Sequence, residues 1–201
     1  MLTPALTKVL GQQSDAVFTS NMTGNWIPST GVNTHYWDNQ VTDGRNLRRF
    51  NSITHNNSTP HNWEFDGTND YFGNASDGYG GEPFTVNIAN AYTLAAWWRY
   101  DSSGNNRIFC LGNTASQGIA LIVSSSDNKI DVIANNTTIN IDCSLTNHVW
   151  YYIALTHDGS NLYSVYVNGS FKGSASQSGC TGTENLLVGA TFAGSLTYTV
   201  A

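Results

Sequence analysis

Few groups in this chain have the type and spacing for chemistry. Acid–base work on a substrate needs two carboxyl groups at a set separation, and the chain has three glutamates, Glu64, Glu82 and Glu184. In Trp63-Glu64-Phe65-Asp66 a glutamate and an aspartate stand two residues apart, which on a strand puts both on one face. Asp66, however, is followed by Gly67. Asp-Gly is a turn signal, in which the carboxylate bonds the backbone two residues on, so Asp66 already has a turn role. The five histidines, His35, His55, His61, His148 and His157, lie in unrelated polar contexts, and no Ser/His/Asp arrangement is readable. His157, next to Asp158-Gly159, reads as a turn-flanking residue. Cys110, Cys143 and Cys180 are widely spaced and form no CxxC pair, so a zinc site is not expected. They read as small, partly buried strand residues of a protein made in a reducing compartment, with one disulfide left open. No catalytic residue is assigned, and the chain reads as a non-enzyme.

Binding chemistry is the alternative. A net charge of −6 and a pI near 5.1 argue against a nucleic-acid partner, whose phosphates demand clustered Lys and Arg. The one basic cluster, Arg45, Arg48 and Arg49, reads as a solvated loop or a contact with a neighbouring subunit. No apolar run reaches the length of a membrane span, so no membrane partner is expected. The N-terminus MLTPALTKVLGQQ lacks the continuous apolar core of a secretory signal, so Sec export is not expected. Sugar binding needs exposed aromatics beside polar loops. Trp26, Trp37 and Tyr79 lie in such contexts, whereas Trp63, Trp97, Trp98 and Trp150 lie in strand patterns and read as core or inter-subunit contacts.

The elements that position these groups are strands. Charged residues make up 11% of the chain, and Asn, Ser, Thr and Gly supply its polarity, which favours turns and strands over helices. The stretch Trp63–Phe72 reads as a strand, a tight turn and a second strand. Tyr92–Tyr100 alternates Leu94, Ala96 and Trp98 on one face with Thr93, Ala95, Trp97 and Arg99 on the other. Large aromatics on both faces imply a central strand with a covered outer face. Short strands follow at Arg107–Leu111, Gly118–Ser124, Lys129–Ala134 and Thr137–Asp142, the rhythm of a sandwich. Val149–His157 and Leu162–Val167 come next, then the Asn168-Gly169 hairpin turn, and Leu186–Val188 and Ser195–Val200 close the chain.

The order of these motifs resembles a concanavalin-A-like jelly roll of the laminin-G-like kind, over roughly residues 60–201. The series runs through Phe65-Asp66-Gly67 with Asp70-Tyr71, Thr93 with Trp97, and Trp150 with Ala154 and Asp158-Gly159. It ends with Tyr166-Val167-Asn168-Gly169, Val188-Gly189 and Phe192-x-Gly194. Residues Tyr36–Asn46 are similar to the lead-in of the subset found in tailed-phage virion proteins, departing from it around Gln40–Asp43. The resemblance implies an all-β, two-sheet antiparallel jelly-roll sandwich over residues 36–201; residues 1–35 lie outside it and read as an extended, protein-specific attachment arm.

It also implies a non-enzymatic virion-surface protein of a tailed phage, made in the host cytoplasm. Its role would be capsid decoration or accessory, with the major capsid protein, other virion proteins and sister copies as partners. The alternative is a carbohydrate-binding adhesin on a tail or fibre, or a free lectin, with a cell-surface glycan as partner. Glycosidases of this fold carry an E-x-D-x-x-E strand, and Glu64-Phe65-Asp66 has no acid at the required next step. The fold often holds Ca²⁺ at its rim, which makes Asp66 and Asp70, with Asp158, the candidate ligands. D-G-x-x-D serves equally as a hydrogen-bonded turn, and that reading is preferred, with no cofactor expected.

Overall fold

The structure is a computed structural model that describes residues 36–37, 47–56, 62–66, 68–73, 84–100, 106–124 and 128–192. The regular elements among these residues are all strands. They are β1 (Tyr36–Trp37), β2 (Leu47–Phe50), β3 (Thr54–Asn56), β4 (Asn62–Glu64), β5 (Tyr71–Gly73), β6 (Thr85–Asn87), β7 (Ala91–Arg99), β8 (Asn106–Leu111), β9 (Ile119–Val123), β10 (Lys129–Ala134), β11 (Thr137–Asp142), β12 (Trp150–Asp158), β13 (Leu162–Val167), β14 (Ser170–Ser176) and β15 (Thr183–Val188).

All strand pairs are antiparallel. The larger sheet runs β1-β2-β5-β15-β8-β9-β10-β11, with β6 also on β15, the smaller runs β14-β13-β12-β7, and β3 and β4 form a separate hairpin. The architecture is the two-sheet sandwich expected. Its core lies between the inner faces, where Ile153, Leu155, Tyr163, Val165 and Val167 of the smaller sheet join Ile119, Leu121, Val123, Ile130 and Val132 of the larger one. Each is an every-second-residue position, as the pleat requires. β9 is buried at every position, because a second apolar cluster forms on the other side of the larger sheet. There Cys110, Ala120 and Ile122 pack with Ile133, Leu187 and Phe192.

Turn chemistry sets the connections. Asn168 and Gly169 have φ of 51° and 78°, the paired positive values of a type I′ turn, and join β13 to β14 as expected. Gly189 has φ of +84°, and a Cβ there would lie 2.5 Å from the Phe65 ring. Glycine is therefore required on two counts at the Val188-Gly189 motif.

Several sequence expectations are corrected. The Trp63–Phe72 strands do not pair with each other: β4 pairs with β3, while β5 pairs with β2 and β15. The Asp66 turn hands the chain from the hairpin to the larger sheet, because the apolar rings of Trp63 and Phe65 both pack on Phe72. β7 is the terminal strand of its sheet among the described residues, not a central one. Its alternation is regular, with Ala91, Thr93, Ala95, Trp97 and Arg99 exposed. Arg48 and Arg49 lie in β2 rather than a loop, each guanidinium 5.0 Å from a ring centroid, Phe50 and Trp63 respectively.

His157 is a buried residue within β12, stacked on Tyr163 at 4.6 Å, with its Nδ1 donating to the Asn90 carbonyl at 2.8 Å. Its position on the inward phase of β12 outweighs its nearness to the turn. The three cysteines are free and buried. Trp26, Tyr79, Glu82, residues 1–35 and Ser195–Val200 lie outside the described residues, as does the side chain of Trp37.

Candidate binding face

Two consecutive aromatics in a strand must point to opposite sides, and Trp97-Trp98 shows the consequence. Trp98 turns inward, donates from Nε1 to Asn106 Oδ1 at 3.3 Å and lies 6.0 Å from the Phe65 ring. Trp97 turns outward and is 54% exposed. Strand register carries this outward phase across the smaller sheet, since paired residues share a face.

Trp97 pairs with Tyr152, one row of the open face, and their rings are 5.6 Å apart. The adjoining row toward the Asp158 end is Ala95, Ala154, Tyr166 and Phe171. Here Tyr166 and Phe171 meet edge to face at 5.7 Å, and Phe171 is 59% exposed. The row after that carries only hydroxyls: Thr93, Thr156, Ser164 and Ser174. On the opposite side of the Trp97–Tyr152 row, Arg99 pairs with Trp150. The face is therefore graded: a guanidinium beside indoles, an aromatic band around the small Ala95 and Ala154, then a band of hydroxyls.

The Asn168-Gly169 turn holds the aromatic band in place. Asn168 Oδ1 accepts from the Tyr152 N–H at 2.9 Å, and the Asn168 N–H donates to the Tyr152 carbonyl at 2.8 Å. Tyr152 is thus locked on both backbone groups. Burial raises its phenol above the ordinary value, so it remains a neutral donor throughout the physiological range. Exposed rings on a rigid strand lose little freedom on binding and offer large contact area, the character of a recognition surface.

The Asp66 turn is the other sequence-marked site. Asp66 Oδ1 accepts from the N–H groups of Thr68 at 2.8 Å and Asn69 at 3.1 Å. These bonds, that of Thr68 foremost, hold its carboxyl below the usual range. Asp70 is buried, and its Oδ2 accepts from the Asp66 N–H at 3.0 Å while Oδ1 accepts from the Ser52 N–H at 2.8 Å. The D-G-x-x-D motif thus ties its own turn to the turn between β2 and β3, where Asn51 reaches the Asn69 carbonyl through Nδ2. Asp158 does not join this pair. Its Oδ1 caps the β12–β13 turn by accepting from Ser160 and Leu162 N–H groups at 2.8 and 3.2 Å. Backbone N–H groups engage each candidate calcium ligand, at Oδ1 of Asp66 and Asp158 and at both oxygens of Asp70. Glu64 is exposed on β4, with Asn56 Nδ2 3.4 Å from Oε1. Glu184 lies on β15 and packs against Gly112.

Strand pattern alone puts Trp97 and Trp98 on opposite faces without saying which face is open, and it does not single out Tyr152, Tyr166 or Phe171. The signal that separates the two tryptophans is phase: they alternate, and Trp97 shares its phase with Thr93, Ala95 and Arg99.

Comparison with known proteins agrees with this architecture. A family model described as the concanavalin A-like lectin/glucanases superfamily matches residues 66–201. No curated protein matches the chain. Among solved structures, the chain is similar to the binding domain of botulinum neurotoxin DC in complex with rat synaptotagmin II. Identity there is 10% and the TM-score 0.58, over 83% of this chain and 43% of that one. It is also similar to domains LG4-5 of the mouse laminin alpha1 chain, at 17% identity and a TM-score of 0.45, over 60% of this chain and 34% of that one. A third similarity is to the carbohydrate binding module CBM66 from Bacillus subtilis, at 13% identity and a TM-score of 0.41, over 68% of this chain and 84% of that one. The chain spans less than half the length of the first two. Identities at this level show the fold alone.

Proposed function

Because the chain belongs to the concanavalin A-like lectin/glucanase superfamily, we propose that it is a lectin-like binding module without catalysis, holding a glycan on the open face of its smaller sheet. The single observation that carries this reading is Trp97, 54% exposed and 5.6 Å from Tyr152 on a strand face that continues into hydroxyls. Sugar rings present an apolar face edged by hydroxyls, and the graded face supplies a matching partner to each. From the Trp97 row to the Thr93 row is about 13 Å at the strand rise, room for two or three sugar units. The sandwich scaffold holds the rings rigidly, so little ordering opposes binding. Carboxylates engaged in turns at Asp66 and Asp158 support the non-catalytic part.

The test is a glycan array with the full chain and Trp97→Ala. Saturable binding lost in the variant supports the reading, and an array without signal overturns it.

A second reading is favoured by the lead-in at Tyr36–Asn46, whose first residues pair with β2 as part of the larger sheet. It makes the chain a structural component of a tailed-phage virion, a capsid decoration or accessory protein. Residues 1–35 would be its arm, and the major capsid protein or sister copies its partners. Quantitative mass spectrometry of purified particles tests it. A copy number near a simple fraction of the capsid lattice supports decoration, a handful of copies places the module on the tail, and absence from particles ends the virion reading.

A further inference from the structure

We infer that the saccharide held on the open face carries a carboxylate, bound by Arg99 at the aromatic end. The inference rests on the glycan reading and names the ligand class within it.

The charges of the face are its basis. Among the described exposed residues of β7, β12, β13 and β14, three are charged: Arg99, Asp158, and Lys172 at the β14 bulge beside Phe171. Of the two cations, Arg99 is the one on the two strands that carry Trp97 and Tyr152. Arg99 and Asp158 stand at opposite ends, because Arg99 pairs with Trp150 and Asp158 with Ala91. Along the nine residues of β12 this is a separation of roughly 27 Å, more than three times the screening length of about 8 Å at physiological salt. Asp158 therefore does not neutralise Arg99, and its carboxylate is already taken by Ser160 and Leu162 N–H groups.

Arg99 is itself positioned. Its Nε donates to the His148 carbonyl at 3.4 Å, and the His148 N–H donates to the Tyr100 carbonyl at 2.8 Å. That contact uses the inner edge of the guanidinium. Its terminal nitrogens have no bonded partner among the described residues. A guanidinium presents paired N–H groups in a plane that matches a carboxylate at two points. Here it stands one row from Trp97 and Tyr152 and directly across from Trp150. A sugar ring stacked over Trp97 would bring an acidic substituent on its Arg99 side within reach of that fork. A neutral sugar would leave that guanidinium unmatched. The chain as a whole is acidic, at −6, so nonspecific attraction of anions does not mimic this effect.

The experiment uses matched probes: sialyllactose against lactose, and oligogalacturonate against its methyl ester. Each is titrated by calorimetry into the full chain, Arg99→Gln and Trp97→Ala, at low and high salt. The expected result is that at least one acidic probe binds on the order of tenfold more tightly than its neutral counterpart, the size of one charged hydrogen-bonded contact. That preference should shrink with salt and vanish in Arg99→Gln, while Trp97→Ala weakens both members of the pair. Equal binding of acidic and neutral members, unchanged in Arg99→Gln but lost in Trp97→Ala, overturns the inference and leaves the glycan reading intact. Binding of no probe, together with a glycan array without signal, overturns both. An unchanged melting temperature for Arg99→Gln separates lost recognition from lost fold.

Discussion

Removing the Asp70 carboxylate tests whether the D-G-x-x-D motif is a structural turn. The side chain is 1% exposed and accepts two backbone N–H groups, Ser52 at 2.8 Å and Asp66 at 3.0 Å. A hydrogen bond to a charged acceptor contributes about 1.5–3 kcal/mol. Asp70→Ala removes both bonds and leaves two donors unsatisfied, so the expected loss is about 3–5 kcal/mol. Asp70→Asn keeps the shape but turns an NH₂ toward one of the two N–H groups, and about 2–3 kcal/mol is expected. For a chain of this size, each kcal/mol lowers the melting temperature by about 2–4 °C. Asp70→Ala should therefore melt roughly 6–20 °C below the parent. Urea unfolding gives the free energies and differential scanning fluorimetry the temperatures, each measured with EDTA and with millimolar Ca²⁺. The turn account expects the same deficit in both conditions. It is refuted if Asp70→Ala stays within about 1 kcal/mol of the parent, or if Ca²⁺ raises the parent's melting temperature and fails to raise that of Asp70→Asn.

Other outcomes follow from the same geometry. Trp98→Ala should cost about 3–5 kcal/mol in urea unfolding as a lost inner-face aromatic, whereas Trp97→Ala, on the open face, should stay within about 1 kcal/mol. Gly189→Ala should lose at least about 2 kcal/mol, because the new Cβ meets the Phe65 ring at positive φ. Gly169→Ala, also at positive φ but with nothing within 4 Å, serves as the strain-only control in the same assay. Burial pushes the Cys110 thiol up to about 12 and the Cys143 thiol up to about 11, and Cys180 is buried as well. Ellman's reagent at pH 8 should therefore count no thiols in the native protein and all three in denaturant. Backbone donors, that of Ser160 foremost, hold the Asp158 carboxyl below its ordinary value. Its contribution to stability is therefore complete above the unfolded-state value of 3.8 and lost as pH falls through the lower folded-state value. Asp158→Asn should flatten the acid limb of the stability profile.

How much is legible in the sequence depends on how local the cause is. Local dihedral chemistry determined the strand class, the Asn168-Gly169 hairpin and the Asp66 turn, since the residues that form each are neighbours in the chain. Alternation determined the two phases of Tyr92–Tyr100 and by itself placed Trp97 with Thr93, Ala95 and Arg99. The ordered motifs determined the family. What alternation lacks is the sign of each phase and the partner of each strand. Whether the Trp97 phase faced a covering layer depended on which face of the smaller sheet packs on the larger one, a matter of contacts between residues far apart in sequence. The same is true of β4 and β5, adjacent in the chain yet joined to different partners, and of His157, drawn into the core by the register of β12 with β7 and β13. Tyr166 and Phe171 became part of one surface with Trp97 only through three successive pairings across the smaller sheet. The sequence alone determined what kind of elements form and which residues share a strand face. The tertiary structure decided which of those faces meets water, and with it where this protein can bind, because burial belongs to the packing of sheets and not to any strand by itself.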